Sequence, residues 1–200
     1  MRKDGASAGA EAGGRYKGKS PVKGIWNRNG AWSRKDGWYL LALAAVTVAW
    51  LLFFFESTSP LYPYYHGLDS SFFMMTGRMV ADGKVPYLDS FDMKGSIIFF
   101  IEGLGQWLAD GKMGIFIIQN LFFLAISGLC YAIARRFVKE GPAFLIVILN
   151  LLVLAATTTG GKFTEEFSLP AVLWCVWLAV VYVQRGKPEH PPLYAGIYGF

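Results

Sequence analysis

Four runs of apolar residues, each about the length of a bilayer crossing, limit this chain to a small set of folds. They are Trp38 to Phe55, Met113 to Ala134, Pro142 to Thr158 and Leu169 to Val183, and none of them contains Asp, Glu, Lys or Arg. Hydrocarbon offers no water to a backbone amide, so such runs must close their own hydrogen bonds as helices. The expected fold class is therefore all-α, a polytopic membrane protein. Composition agrees, with 54% hydrophobic and only 16% charged residues.

The formal net charge of +5 would suit a nucleic-acid binder, but its distribution argues otherwise. Nine of the nineteen Lys and Arg fall in residues 1–37, ahead of the first apolar run. That is a topology signal, with the basic tail held in the cytoplasm, and no nucleic acid is expected as partner. Rich in Gly, Ser and Ala, residues 1–37 read as a disordered tail, with Trp26 and Trp32 brushing the interface. The bulky ESTSPLYPYY after the first run offers no cleavage site, so Trp38 to Phe55 reads as a retained anchor with Glu56 emerging outside. Cys130 and Cys175 sit inside separate apolar runs and suggest neither a disulfide framework nor a metal site.

Between the first two long runs, residues 66–102 hold Asp69, Asp82, Asp89, Asp92 and Glu102, five of the fourteen carboxylates, with Arg78, Lys84 and Lys94. So many charges beside a bilayer mark a solvated loop or a site of polar chemistry. Asp69 or Ser70 can N-cap a helix ending before Gly83, with Phe72, Phe73, Met75, Met79 and Val80 on one arc. Val85-Pro86-Tyr87 should be extended, and Asp89-Ser90 offers a second helix start. Ile97 to Leu108 is about a dozen residues, interrupted by Glu102, Gly103, Gly105 and Gln106, and is too short to span. If it does not cross, Arg135, Arg136, Lys139, Arg185 and Lys187 all join the N-terminal tail in the cytoplasm. It is therefore expected to lie on the surface or re-enter. Leu193 to Phe200 would begin a fifth span, so the chain reads as the N-terminal part of a larger protein.

This topology brings two polar loops to the outer face, residues 56–112 and residues 159–168, TGGKFTEEFS. Asp69 lies in the first; Glu165 and Glu166 lie in the second, at the mouth of a span. Carboxylates there can take a proton from an attacking hydroxyl, or hold a divalent metal against a phosphate. No ionisable group stands within the four spans, where Gln119, Asn120 and Asn150 are the strongest polar residues, and this argues against ion-coupled transport.

A carboxylate after the first span, then GRMVADGKVPYLDSFDMKG, then GG-x-x-TEE-x-x-LP before a later span, resembles the GT-C glycosyltransferases. The similar members are the polyprenyl-phosphate-sugar enzymes, such as protein O-mannosyltransferases and aminoarabinose transferases, and the likeness covers about residues 38–185. It implies a GT-C-like membrane domain with membrane-surface helices in the first outer loop, and transfer of a sugar from a polyprenyl-phosphate donor to an acceptor at the extracytoplasmic face of the cell membrane. It implies Asp69 as general base or acceptor-orienting group, with Glu165 or Glu166 as the second carboxylate. Asp92 and Lys94 match the family's acidic-Lys pair, although Ser96 and Ile97 replace the prolines that often follow it. Lys94 and Arg78 would face the donor phosphate. Asp89 and Tyr87 would support the site, and Mg or Mn is a conceivable cofactor without a dedicated ligand set.

Simpler readings stand beside these. Asp69 and Asp89 suit caps or turns, and Glu165 and Glu166 suit the first turn of any helix. Arg78 could pair with Asp82 at i+4, Lys94 could anchor in headgroups, and the tyrosines Tyr62, Tyr64, Tyr65 and Tyr87 suit an interfacial belt. A non-catalytic membrane assembly protein or a transporter of lipid-linked sugars are the rival functions.

Overall fold

The computed structural model describes residues 32–63, 67–90, 92–158 and 164–185. Within them the chain is all-helical: α1 (Arg34–Phe54), α2 (Leu68–Ala81), α3 (Ser96–Leu108), α4 (Lys112–Arg135), α5 (Glu140–Thr157) and α6 (Thr164–Arg185). Four of these, α1, α4, α5 and Thr164–Gln184 of α6, are long and apolar enough to cross a membrane. The shortest, at 18 residues, rises about 27 Å. The expected fifth span and most of the N-terminal tail lie outside the described residues.

Local chemistry moves two boundaries from their expected places. Ser33 and Asp36 form a reciprocal capping box, so α1 begins at Arg34 and the last residues assigned to the tail are helical. The sixth helix starts at Thr164, five residues before the expected Leu169, and carries Pro170 inside it. Glu165 and Glu166 thereby become first-turn residues of a helix rather than loop residues.

Helix α4 is the centre. It packs against α1, α3, α5 and α6, and 44% of its most apolar stretch is buried, against 22% for α1 and 17% each for α5 and α6. On α1 the buried side runs Leu43, Thr47, Trp50 and Leu51; on α5 it runs Ala143, Val147 and Leu151. Both are helical spacing, i and i+4. Trp50, Phe55 and Phe123 pack with ring centroids 4.8 to 5.3 Å apart. Deep between α1 and α4, the Thr47 and Ser127 hydroxyls share a 2.9 Å hydrogen bond. The outward sides are apolar too, with Leu41, Phe53, Leu121, Leu149 and Val172 exposed.

Hydrogen bonds at the two ends fix the helix directions. At one end, hereafter the basic end, Asp36 near the start of α1 accepts from Arg135 Nε at the end of α4 at 2.6 Å. Arg135 Nη2 also donates to Glu140 at the start of α5 at 3.1 Å. At the other, the acidic end, Thr58 beyond α1 donates to Gln119 in the first half of α4 at 2.5 Å. Lys112 Nζ, opening α4, donates to the Tyr62 carbonyl at 2.6 Å. So α1 and α4 run antiparallel although α2 and α3 intervene, and both intervening helices are accommodated at the acidic end.

Helices α2 and α3 form a tight pair docked on the start of α4. Glycines make the approach possible. A Cβ on Gly77 would sit 2.5 Å from Glu102 Cβ, and one on Gly114 would sit 1.8 Å from the Gly105 carbonyl oxygen. Glu102 is wholly buried in this contact. The outward side of α3 carries Ile97, Phe100, Leu104 and Trp107, an exposed apolar stripe at helical spacing. On α2 the buried residues are Ser70, Phe73, Thr76 and Gly77, whereas Met75 of the expected apolar arc is exposed. Small groups win this face because α3 must approach closely.

Candidate functional site

The acidic end is built from the loop after α1, the start of α2, the turn before α3 and the start of α6. The loop after α1 folds back on its own helix: Ser59 Oγ donates to the Leu52 carbonyl at 2.7 Å and Tyr62 Oη to the Phe53 carbonyl at 2.6 Å. Satisfying these last-turn carbonyls holds Ser57 and Thr58 against the bundle. From there one polar chain crosses to α6. Thr58 Oγ1 donates to Gln119 Oε1, and Gln119 Nε2 donates to Glu166 Oε2 at 2.6 Å. All three side chains are buried. Ser70 on α2 donates to Ser57 at 3.3 Å, tying the residue next to Asp69 to the same loop.

Apolar packing reinforces that tie. Phe73 of α2, Ile98 and Phe99 of α3, Ile115 and Ile118 of α4, and Phe167 of α6 make one buried cluster. It sets the opening turns of α2 and α6 on the same body of side chains.

Asp69 is exposed in the first turn of α2. It is not the N-cap: Gly67 is, and no side chain caps that helix. Capping therefore does not account for the Asp69 carboxylate. Glu165 and Glu166 divide by one residue of helix rotation. Glu166 is buried, and Glu165 is exposed, accepting from Thr164 Oγ1 at 3.0 Å. Both line a cavity of about 370 Å³ whose walls are Phe123, Leu154, Thr157 and Leu169. The chamber is mainly apolar, with two carboxylates in its lining.

Lys94 is half-buried in the turn before α3, close enough for its charge to act on Glu165. Tyr87 holds that turn: its hydroxyl donates to the Lys94 carbonyl, and its ring packs on Phe99 at 6.0 Å. Tyr87 does so at φ +69°, in the left-handed region that non-glycine residues seldom adopt. Tyr87 thereby braces the turn that carries Lys94.

Three other expected residues make ion-pair or local contacts of their own. Arg78 lies nine residues along α2 from Asp69, roughly 13 Å of helix rise. It pairs with Asp110 in the α3–α4 turn at 2.8 Å rather than with Asp82. Asp89 starts no helix; it accepts from the Val85 amide at 2.8 Å and closes a turn, and α3 begins only at Ser96 behind Gly95. Asp92 accepts from the next amide, Met93, at 2.6 Å. The glycines and Lys162 of the second polar loop, with Tyr64, Tyr65 and His66, lie outside the described residues. Among the described residues no group of three or more His, Cys, Asp or Glu is arranged to hold a metal ion.

Gln119 and Thr58 were not expected in the site. Gln119 is, with Asn120, one of the two strongest polar groups in its apolar run, and a polar side chain inside a span is a signal of function or of a partner on another helix. At the basic end the Asp36–Arg135–Glu140 group was likewise unforeseen, although Asp36 is the one acid beside the first span in a basic tail.

Residues 39–197 match a family model described as "Putative competence-induced protein Ccs4 N-terminal domain". No curated protein and no solved structure matches the chain.

Proposed function

The chain belongs to the Ccs4 N-terminal domain family, and from the geometry of its acidic end we propose that it is a multi-pass membrane glycosyltransferase of GT-C type. It takes a sugar from a polyprenyl-phosphate donor and gives it to an acceptor at the extracytoplasmic face. The observation that carries this reading is the pair Glu165 and Glu166 in the wall of an apolar cavity, with Glu166 linked through Gln119 to Thr58, in the loop that Ser57 ties to Ser70 beside Asp69. An apolar chamber bearing the two carboxylates of α6 suits a substrate with a polar head and a hydrocarbon tail.

Charge supports the orientation. Arg34, Lys35, Arg135, Arg136 and Lys139 gather at the basic end, which is then cytoplasmic, and the acidic end faces out. The apolar stripe of α3 fits a helix lying in the outer interface beside membrane lipids.

In the reaction, Asp69 takes the proton of the acceptor hydroxyl as its oxygen bonds to the anomeric carbon. The bond from that carbon to the phosphate oxygen breaks, and the lipid phosphate leaves with the electron pair. Lys94 stabilises the charge growing on that oxygen. Glu165 orients the sugar, and Glu166, buried on Gln119, fixes the start of α6. A divalent Mg or Mn would need substrate oxygens and water to complete its shell, so no step runs through one.

Membranes carrying the full-length gene product, supplied with a panel of radiolabelled polyprenyl-phosphate sugars, test the proposal. Asp69→Asn should lower transfer roughly 100-fold or more by loss of general-base help. Absence of transfer from every donor, or transfer indifferent to Asp69→Asn and Glu165→Gln, would replace the enzyme by an assembly protein.

A further inference from the structure

A second cavity, of about 190 Å³, opens at the basic end, away from the carboxylates. Leu129, Ala132 and the arginines Arg135 and Arg136 come from α4, Trp174 and Trp177 from α6, and Trp32 from the segment before α1. The two α6 indoles pack at 5.3 Å, and Trp32 packs on Tyr131 at 6.2 Å.

The two arginines differ. Arg135 is consumed: it bonds Asp36 through Nε and Nη2, the Val138 carbonyl through Nη1, and Glu140 through Nη2. Arg136 reaches only the neutral Gln184 carbonyl, at 3.4 Å, and pairs with no carboxylate among the described residues. The cavity therefore offers one uncompensated guanidinium framed by indole faces.

We infer that this cavity binds the headgroup of an anionic phospholipid of the cytoplasmic leaflet. Arg136 supplies donors for a phosphodiester, while Trp177 and Trp174, seven and ten residues before its partner Gln184 on α6 and so roughly 10 and 15 Å deeper by helix rise, line the path of the acyl chain. Basic pockets between spans on the cytoplasmic side favour this class of ligand. A small soluble anion would satisfy Arg136 but make no use of the apolar wall that the indoles and Leu129 give the cavity. The inference rests on the membrane part of the proposed function and not on its sugar chemistry.

Native mass spectrometry of the full-length protein in mild detergent, titrated with phosphatidylglycerol or phosphatidylcholine and with no sugar donor present, tests it. The wild type should retain the anionic lipid over the zwitterionic one by roughly fivefold or more, the scale of one cation near an anionic surface. Arg136→Gln should erase the preference, Arg136→Lys should keep most of it, and the exposed Lys139→Gln should leave it unchanged. Trp177→Leu, which keeps the charge, should weaken retention of both lipids. Equal retention of the two lipids, equal losses from Lys139→Gln and Arg136→Gln, or displacement by millimolar inorganic phosphate would each overturn the assignment. Because lipid retention is read without sugar transfer, its failure is separable from failure of the transferase reading.

Discussion

Gln119 donates from Nε2 to Glu166 Oε2 at 2.6 Å, joining α4 to α6 across 47 residues of sequence. The same amide accepts from Thr58 through Oε1. One fully buried side chain thus uses both ends to connect three segments of the acidic end.

Replacing Gln119 by Leu removes both bonds while filling a similar volume. Loss of a buried partner of a carboxylate costs about 1 to 3 kcal/mol, so thermal unfolding in detergent should move to lower temperature. Sugar transfer should fall as well, whereas Gln119→Leu with wild-type stability would mean that the chain of bonds holds nothing in place.

Asp36 and Arg135 predict a non-additive pair. Asp36 is 1% exposed and accepts from Arg135, Tyr131 and the Ser33 amide. Asp36→Ala or Arg135→Leu alone should cost about 3 to 5 kcal/mol, because each strands a charge. The double variant should cost clearly less than the sum. A double-mutant cycle on unfolding free energy measures this, and additivity would refute the coupling.

Glycine substitutions should separate by position. Gly114→Ala drives a Cβ into the Gly105 carbonyl, which is backbone and cannot swing aside. It should disrupt the α3–α4 crossing and reduce folded yield severely. Gly37→Ala on α1 meets nothing within 4 Å and should stabilise by roughly 0.5 to 1 kcal/mol through helix propensity. Thermal scans of the two variants compare them directly.

Arg78 and Lys94 should also behave differently. The Arg78–Asp110 pair is 61% and 84% exposed in its side chains, and such pairs contribute about 0 to 1 kcal/mol. Arg78→Ala should leave stability and transfer nearly unchanged, while Lys94→Ala should depress transfer with little change in melting. Equal losses of transfer would restore Arg78 to the site.

Much was legible because solvent or hydrocarbon acts on each residue type without regard to its neighbours. The four long helices follow from apolar length, and the short α3 from its interrupting glycines and Glu102. Asp89 as a turn residue follows from local backbone chemistry. Arg78 was illegible because its partner, Asp110, is 32 residues away, and i+4 pairing with Asp82 is only the nearest option. The buried face of α2 was misjudged because hydrophobicity ranks Met75 above Thr76 and Gly77. Contact with α3 selects for size instead.

Sequence alone determined which segments are helices, which are long enough to cross, and which end of the array is basic, since all three depend on composition within one segment. Only the tertiary structure decided that Glu166 is buried and Glu165 is exposed. It also decided that Gln119 bridges Glu166 to Thr58, and that Arg135 is ion-paired while Arg136 is not among the described residues. Those distinctions arise from the rotation and crossing of helices, where one residue is 100° of turn, and no pattern within a single helix contains the position of the next.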